Sequence, residues 1–221
     1  MFFSKFLIFI MSFSFSYANE NYYTYEKMVK TLYQWQDSYG ITSHPSSAYP
    51  DFGVIYQLDS IGYSTNDSLP IYAVKLSANV NEEHTKPKIL ILGQCHAEEI
   101  YGLEIAMEII DQFLHPEQNL SNRPFLQKGL YFTELWIIPT HNPEGLRVVH
   151  GYINDGIEEK DATYRKNKND VNQNGVFDYL LGVGQDLDGV DLNRNFDFNW
   201  SFGDTLWQET NSCNAGYKDD Y

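Results

Sequence analysis

The chain has 221 residues, 43% of them hydrophobic and 16% aromatic, which is enough for one domain with a proper core and too few for two. It carries 30 acidic against 15 basic residues, a formal charge of −15; that balance excludes a nucleic-acid partner, which needs a basic face, and suits cation binding and solubility outside a cell. Its two cysteines, Cys95 and Cys213, make no disulfide framework, and Cys95 reads as a small buried thiol.

Residues 1–18, MFFSKFLIFIMSFSFSYA, place Lys5 before an apolar run that ends in the small residues Ser16 and Ala18, the pattern of a secretory signal cleaved near Ala18. The alternative is a membrane anchor, but Ser12, Ser14 and Ser16 leave the run short of the roughly 20 apolar residues that a span requires. No later segment is apolar enough to span. The expected mature protein, residues 19–221, is therefore soluble and exported: secreted, periplasmic or held at the cell surface.

Next, Tyr25, Met28, Val29, Leu32, Tyr33 and Trp35 recur with helical spacing, which predicts a helix from Thr24 as N-cap to Tyr39, closed by Gly40. After a loop with Pro45 and Pro50, the alternating runs Val54–Ile61 and Ile71–Ser77 flank a turn-rich Ser64–Pro70 and predict an antiparallel pair. The short β-branched run Ile89–Leu92, bounded by Pro87 and Gly93, reads as a buried strand. Ile100, Leu103, Ile105, Ala106, Ile109 and Ile110 make about Glu98 to Phe113 an amphipathic helix.

Pro116 to Gly129 reads as a polar connection, Leu130–Pro139 as the next strand and Thr140–Gly145 as a turn. Strand, helix and strand imply a parallel, right-handed crossover. From Asp155 to Asp191 the chain is polar and lacks periodicity, and structureless loops of that length are usually functional or metal-ordered.

This layout puts His96 and Glu99 at a strand-to-helix turn, where open α/β sheets gather ligand-binding groups. A neutral imidazole and a carboxylate three residues apart can converge on one cation, and the pair suits zinc. By itself HxxE also fits a surface helix start, with Glu98 and Glu99 at the positive end of the helix dipole.

In the long loop Asp170, Asn172 and Asn174 place oxygens at positions 1, 3 and 5, with Gly175 at 6 and Asp178 at 9, the first part of an EF-hand-like calcium loop. Position 12 is Leu181, so Asp186 or Asp188 would have to close the shell. The alternative is a loop whose side chains satisfy their own backbone. Calcium would order the segment between Arg165 and Asn193 so that both face one cleft.

Four stretches fall in one order: His96-Ala97-Glu98-Glu99, Asn142-Pro143-Glu144-Gly145, Arg165-Lys166-Asn167, and Gly189-Val190-Asp191-Leu192-Asn193-Arg194-Asn195-Phe196. The series resembles the zinc carboxypeptidases of the M14 peptidase family and covers most of the mature chain. GVDLNRNF, placed after HxxE and RKN, is the specific part. The resemblance implies an α/β fold with a mixed, mostly parallel sheet flanked by helices. It also implies that His96 and Glu99 are the first two zinc ligands, that Asp191 orients His96, and that Arg165 polarises the scissile carbonyl. Asn193 and Arg194 then grip the terminal carboxylate of the substrate. A guanidinium fork pairs with a carboxylate through two parallel bonds, so the expected substrates are peptides or proteins with a free C-terminus.

Three departures qualify the resemblance. Glu98 stands where many members carry arginine, and NPEG replaces the commoner NPDG, a change of one methylene that carries little weight. More serious, no histidine follows Arg194, so the third zinc ligand is missing, as are the late substrate-binding tyrosine and general-base glutamate. The expectation is that residues 19–221 are a catalytic domain truncated at its C-terminus, inactive as given and a zinc-dependent carboxypeptidase when complete. The competing explanations are a pseudo-enzyme, or substitution by His141 or His150, which read as turn and surface residues. Other activities in view are a related zinc amidase or deacylase, and a non-catalytic, calcium-stabilised module that grasps peptide C-termini.

Overall fold

The computed structural model describes residues 22–41, 48–83, 85–118, 121–154, 157–170, 173, 175, 177, 179–180, 185–186 and 188–196. Helix α1, Tyr25–Tyr39, begins where Thr24 caps it, with the Thr24 hydroxyl accepting from the Lys27 N–H at 3.2 Å. It ends at Gly40, whose N–H reaches Gln36 O. Strands β1, Tyr56–Tyr63, and β2, Pro70–Leu76, form the expected antiparallel pair, with a register shift between Ser60 and Gly62. Strand β3, Lys88–Gln94, leads through the turn carrying His96 into helix α2, Tyr101–Leu114. Helix α3 spans Arg123–Phe132, strand β4 Glu134–Thr140 and helix α4 Pro143–His150. Two small hairpins follow, β5 (Tyr152–Asn154) with β6 (Ile157–Glu159), and β7 (Tyr179–Leu180) with β8 (Gln185–Asp186).

The main sheet has the order β1-β2-β4-β3. It is mixed, as expected, but among the described strands only β3 and β4 run parallel, while β1–β2 and β2–β4 are antiparallel. "Mostly parallel" does not describe this part of the sheet, because the early hairpin supplies half of its strands. Val74 pairs with Ile137 and Leu76 with Leu135, so these four residues share a face. On it lie Met28, Leu32 and Trp35 of α1, Leu103, Met107 and Ile110 of α2, Leu130 of α3 and Leu146 of α4, in one core.

Four elements differ from the sequence reading. The connection from Pro116 to Gly129 contains a short 3-10 turn, Pro116–Gln118, and most of α3. Leu130–Phe132 complete that helix, so β4 starts later than the apolar run suggests. The THNPEG stretch is not only a turn: Asn142 caps α4, its side chain accepting from Gly145 N–H at 3.1 Å, and Pro143 opens the helix. Finally, β3 is not a buried strand. It lies at the edge of the described sheet, and Ile89, Leu90 and Leu92 are 45%, 61% and 55% exposed. Among the described residues no helix is long and apolar enough to cross a membrane, and residues 1–18 and Cys213 lie outside the described residues.

Candidate active site

The carboxyl ends of β3 and β4 carry a buried polar frame. Gln94 Nε2 donates to Ala97 O at 2.9 Å, and its Oε1 accepts from Thr140 Oγ1. Asn142 donates from Nδ2 to Cys95 O and to Lys166 O, both at 2.9 Å, so one amide joins the turn after β3 to the segment carrying Arg165. Ala97 N–H donates to Arg165 O at 3.0 Å, Asn167 N–H to Val190 O at 3.1 Å and Val190 N–H to Asn167 Oδ1 at 2.7 Å. The three segments are thus stitched by backbone and amide bonds before any charged side chain is considered. Gly189 sits at φ +93° with a Cβ position only 2.4 Å from Asn167 O, so this close approach admits no side chain.

Within the frame, His96 is buried and Glu99 is exposed, 61% at its side chain. His96 Nδ1 lies 3.1 Å from Glu99 Oε2, yet the two are not aligned as a hydrogen bond, and Nδ1 is a buried nitrogen with no hydrogen-bond partner among the described residues. Two donors on a tetrahedral zinc with bonds of about 2.1 Å stand about 3.4 Å apart. The pair therefore fits two corners of such a shell, and the unpaired Nδ1 is the atom a cation would occupy. On the other side of the ring, Nε2 lies 3.2 Å from Asp191 Oδ1 and 2.7 Å from Arg165 Nη2.

Asp191 is fully buried. Its Oδ2 accepts from Arg165 Nε at 2.8 Å and its Oδ1 from the Asn193 N–H at 3.0 Å. Arg165 also donates from Nη1 to Glu98 Oε1 at 3.2 Å. Burial works against the charged guanidinium, but Asp191 and then Glu98 outweigh it and leave Arg165 more basic than usual. Burial pushes the Glu98 carboxyl up despite Arg165, and its Oε2 is buried without a partner among the described residues.

Asn193 and Arg194 are exposed, with Arg194 Nη1 donating to Asn193 O at 3.0 Å. They touch neither His96 nor Glu99 in any described contact, but they share this end of the sheet: the charges of Asp191, Arg165, Glu99 and Arg194 all reach the Cys95 thiol. Burial, then Asp191, pushes that thiol up to about 11, which keeps it protonated near neutrality and unlike a nucleophile.

Among the described residues no three His, Cys, Asp or Glu side chains converge to hold a metal. His141, at the turn, and His150 are each partly buried, with one buried nitrogen that has no hydrogen-bond partner among the described residues, and burial lowers both, His96 adding to the effect on His141. Of the calcium positions, Asp170 accepts the Gly175 N–H on Oδ2 at 2.7 Å, a bond that a self-satisfied loop also makes, while Asn172, Asn174 and Asp178 lie outside the described residues.

The sequence reading gives Gln94 no place, sets Thr140 and Asn142 in a turn and Asn142 in a motif without a role of its own, and underrates Glu144. That carboxylate is buried and accepts from the backbone N–H groups of Asn66 and Asp67 at 2.9 and 2.6 Å, pinning the β1–β2 turn to α4. Lys168 holds the same turn, reaching both oxygens of Asp67 at 3.0 and 3.2 Å. An Asn before Pro with Glu next was the available signal, since it marks a helix start as well as a turn.

A family model described as zinc carboxypeptidase matches residues 21–221. A zinc carboxypeptidase of Saccharothrix mutabilis subsp. capreolus is 25% identical over 179 residues, which are 81% of this chain and 33% of that protein. The carboxypeptidase N catalytic chain of Homo sapiens is 27% identical over 176 residues, 79% of this chain and 30% of that one. Among solved structures, carboxypeptidase A from Helicoverpa armigera aligns with a TM-score of 0.57 at 20% identity, covering 87% of this chain and 37% of its own. Bovine thrombin-activatable fibrinolysis inhibitor, in complex with tick carboxypeptidase inhibitor, aligns with a TM-score of 0.52 at 20% identity, covering 92% and 51%. These structural likenesses show the fold, and the chain spans about a third of the length of the curated relatives it matches.

Proposed function

Because the chain belongs to the zinc carboxypeptidase family, we propose that it is the part of an exported metallocarboxypeptidase that supplies His96 and Glu99 as zinc ligands and Arg165, Asn193 and Arg194 as substrate contacts. The observation that carries the reading is the unpaired His96 Nδ1 facing Glu99 Oε2 at 3.1 Å, with Asp191 and Arg165 on the far side of the ring. Zinc, when bound, supplies Lewis-acid polarisation and a more acidic water.

The chain's own residues do the rest. With a cation at Nδ1 the ring hydrogen sits on Nε2, where Asp191 Oδ1 at 3.2 Å is placed to accept it and so hold the Nδ1 lone pair toward Glu99. Arg165, made more basic by its carboxylate neighbours, brings a fixed positive charge to the same end of the sheet, where it opposes negative charge developing on a carbonyl oxygen. Arg194 is exposed, and its guanidinium has the fork of donors that suits a terminal carboxylate, with Asn193 beside it. Support for export is the composition of residues 1–18. The calcium loop from Asp170 is proposed on the spacing of its oxygens alone, and a calcium titration whose heat vanishes in Asp170→Ala checks it.

A second reading, a module that grasps peptide C-termini without cutting, is favoured by one observation: only two donors converge among the described residues. One experiment separates the two. Titrate the chain with zinc by calorimetry, then incubate it with a peptide bearing either a free or an amidated C-terminus. Zinc heat that disappears in His96→Ala, with binding of the free peptide that depends on zinc and is lost on amidation, is the peptidase result. Zinc-independent binding of the free peptide without release is the module result, and an absence of zinc heat ends the metal assignment.

A further inference from the structure

The hydrogen bonds around His96 cannot all hold at once. An imidazole nitrogen either donates or accepts, and Nε2 has a carboxylate acceptor, Asp191 Oδ1 at 3.2 Å, and a guanidinium donor, Arg165 Nη2 at 2.7 Å. If the ring hydrogen sits on Nδ1, Nε2 accepts from Arg165. If a cation takes Nδ1, the hydrogen sits on Nε2 and goes to Asp191, so two donors face each other at 2.7 Å and the Nη2 arm must let go.

What then keeps the guanidinium in place is limited. Nε stays on Asp191 Oδ2 at 2.8 Å, and Nη1 stays on Glu98 Oε1 at 3.2 Å. Among the described residues the other carboxylate near Nη1 is Glu99, at 3.9 Å, and it faces the cation position with its second oxygen. Without Glu98 the group is free to turn about its remaining anchor.

We propose that Glu98 is a positioning residue for Arg165, holding the Nη1 edge so that cation binding at His96 releases Nη2 toward the cleft while the guanidinium keeps its plane. The proposal rests on the reading of His96 as a zinc ligand. It also gives a role to the acid at a place where arginine is common in the resembling family, since an arginine there could not anchor a second guanidinium.

The test is nitrogen NMR on the whole labelled chain, with zinc chloride as the sole addition and Arg165 assigned by Arg165→Lys. In the unchanged protein zinc should shift the His96 ring nitrogens to the Nδ1-bound pattern. It should also speed solvent exchange at the Arg165 Nη2 hydrogens while those on Nη1 stay slow. In Glu98→Gln, zinc should in addition speed rotation about the guanidinium Nε bond by about tenfold, the scale of losing one charge-assisted hydrogen bond; Glu98→Asp should fall between. His96 signals that ignore zinc overturn the metal assignment and this proposal together. His96 signals that respond while Nη2 stays protected, or while Glu98→Gln leaves the rotation unchanged, overturn this proposal alone. Because the Nη2 comparison uses the unchanged protein, protected Nη2 hydrogens overturn the proposal even if the glutamine variant does not fold, and Glu98→Asp then reads the anchoring.

Discussion

Glu144 directs its carboxylate at backbone rather than at solvent or substrate. Two N–H groups of the β1–β2 turn point at one oxygen, at 2.9 and 2.6 Å, and the residue is 1% exposed. Removing the acceptor deprives two donors of a partly buried turn of their charged partner, so Glu144→Ala is expected to cost about 1–3 kcal/mol in a denaturant titration. Glu144→Gln keeps the length and should lose less. Glu144→Asp falls one methylene short of the turn and should behave more like the alanine variant; a neutral Asp variant would show that the turn follows the acid rather than being held by it. The residues named from the motifs, His96, Glu99, Arg165 and Asp191, come within hydrogen-bonding or ion-pair distance of a neighbour in the set. Asn193 and Arg194 lie further out on the exposed turn. That difference was not legible, because a motif gives order along the chain and not the depth at which each member sits.

At the level of elements, β3 and α2 meet without room for side chains. A Cβ on Gly93 would lie 2.1 Å from Pro139 O on β4, and one on Gly102 would lie 3.0 Å from Gln94 N. Gly93→Ala must push β3 from β4 just before His96; the expected loss is about 1–3 kcal/mol or more, with zinc heat falling as the Gln94 frame shifts. An unchanged zinc titration in a folded Gly93→Ala protein would mean that the frame does not transmit the strain. The helix α1 was readable end to end because its stripe, its cap at Thr24 and its stop at Gly40 agree. Helix α3 was not, since polar residues fill its approach and its apolar end, Leu130–Phe132, runs on into β4 with no breaker between. Helix α4 was hidden because Asn-Pro opens a turn and a helix alike. The exposure of β3 could not be foreseen from its composition: a run of β-branched residues says that a strand forms, and only its neighbours decide whether it is covered.

For the molecule as a whole, the core face of the sheet is covered by α1 and α2, while Leu90 and Leu92 are exposed opposite the half-buried Trp136 and Ile138. Among the described strands β3 has a neighbour on one side, and an edge of this kind is a template for pairing, opposed in this chain by the mutual repulsion of a −15 formal charge. Self-association of the chain should therefore increase with salt, which screens the repulsion, and Leu90→Lys should suppress it without lowering stability. Light scattering across a salt series reads both effects, and association that falls with added salt would locate its cause in charge pairing instead. The site has a different history from this sheet. The strands that build the core lie between Tyr56 and Thr140, whereas His96 meets Asp191 across 95 positions and Arg165 across 69. Long loops close slowly, so the sheet is expected to form first and the stretches carrying Arg165 and Asp191 to join it last, held by backbone bonds, Asn142 and the ion pairs of Arg165 and Lys168. The same stretches should be the first to open, before the sheet melts. A protease would then find them while the core is still intact, and a ligand that closes the site would slow the cut long before it raised the melting temperature.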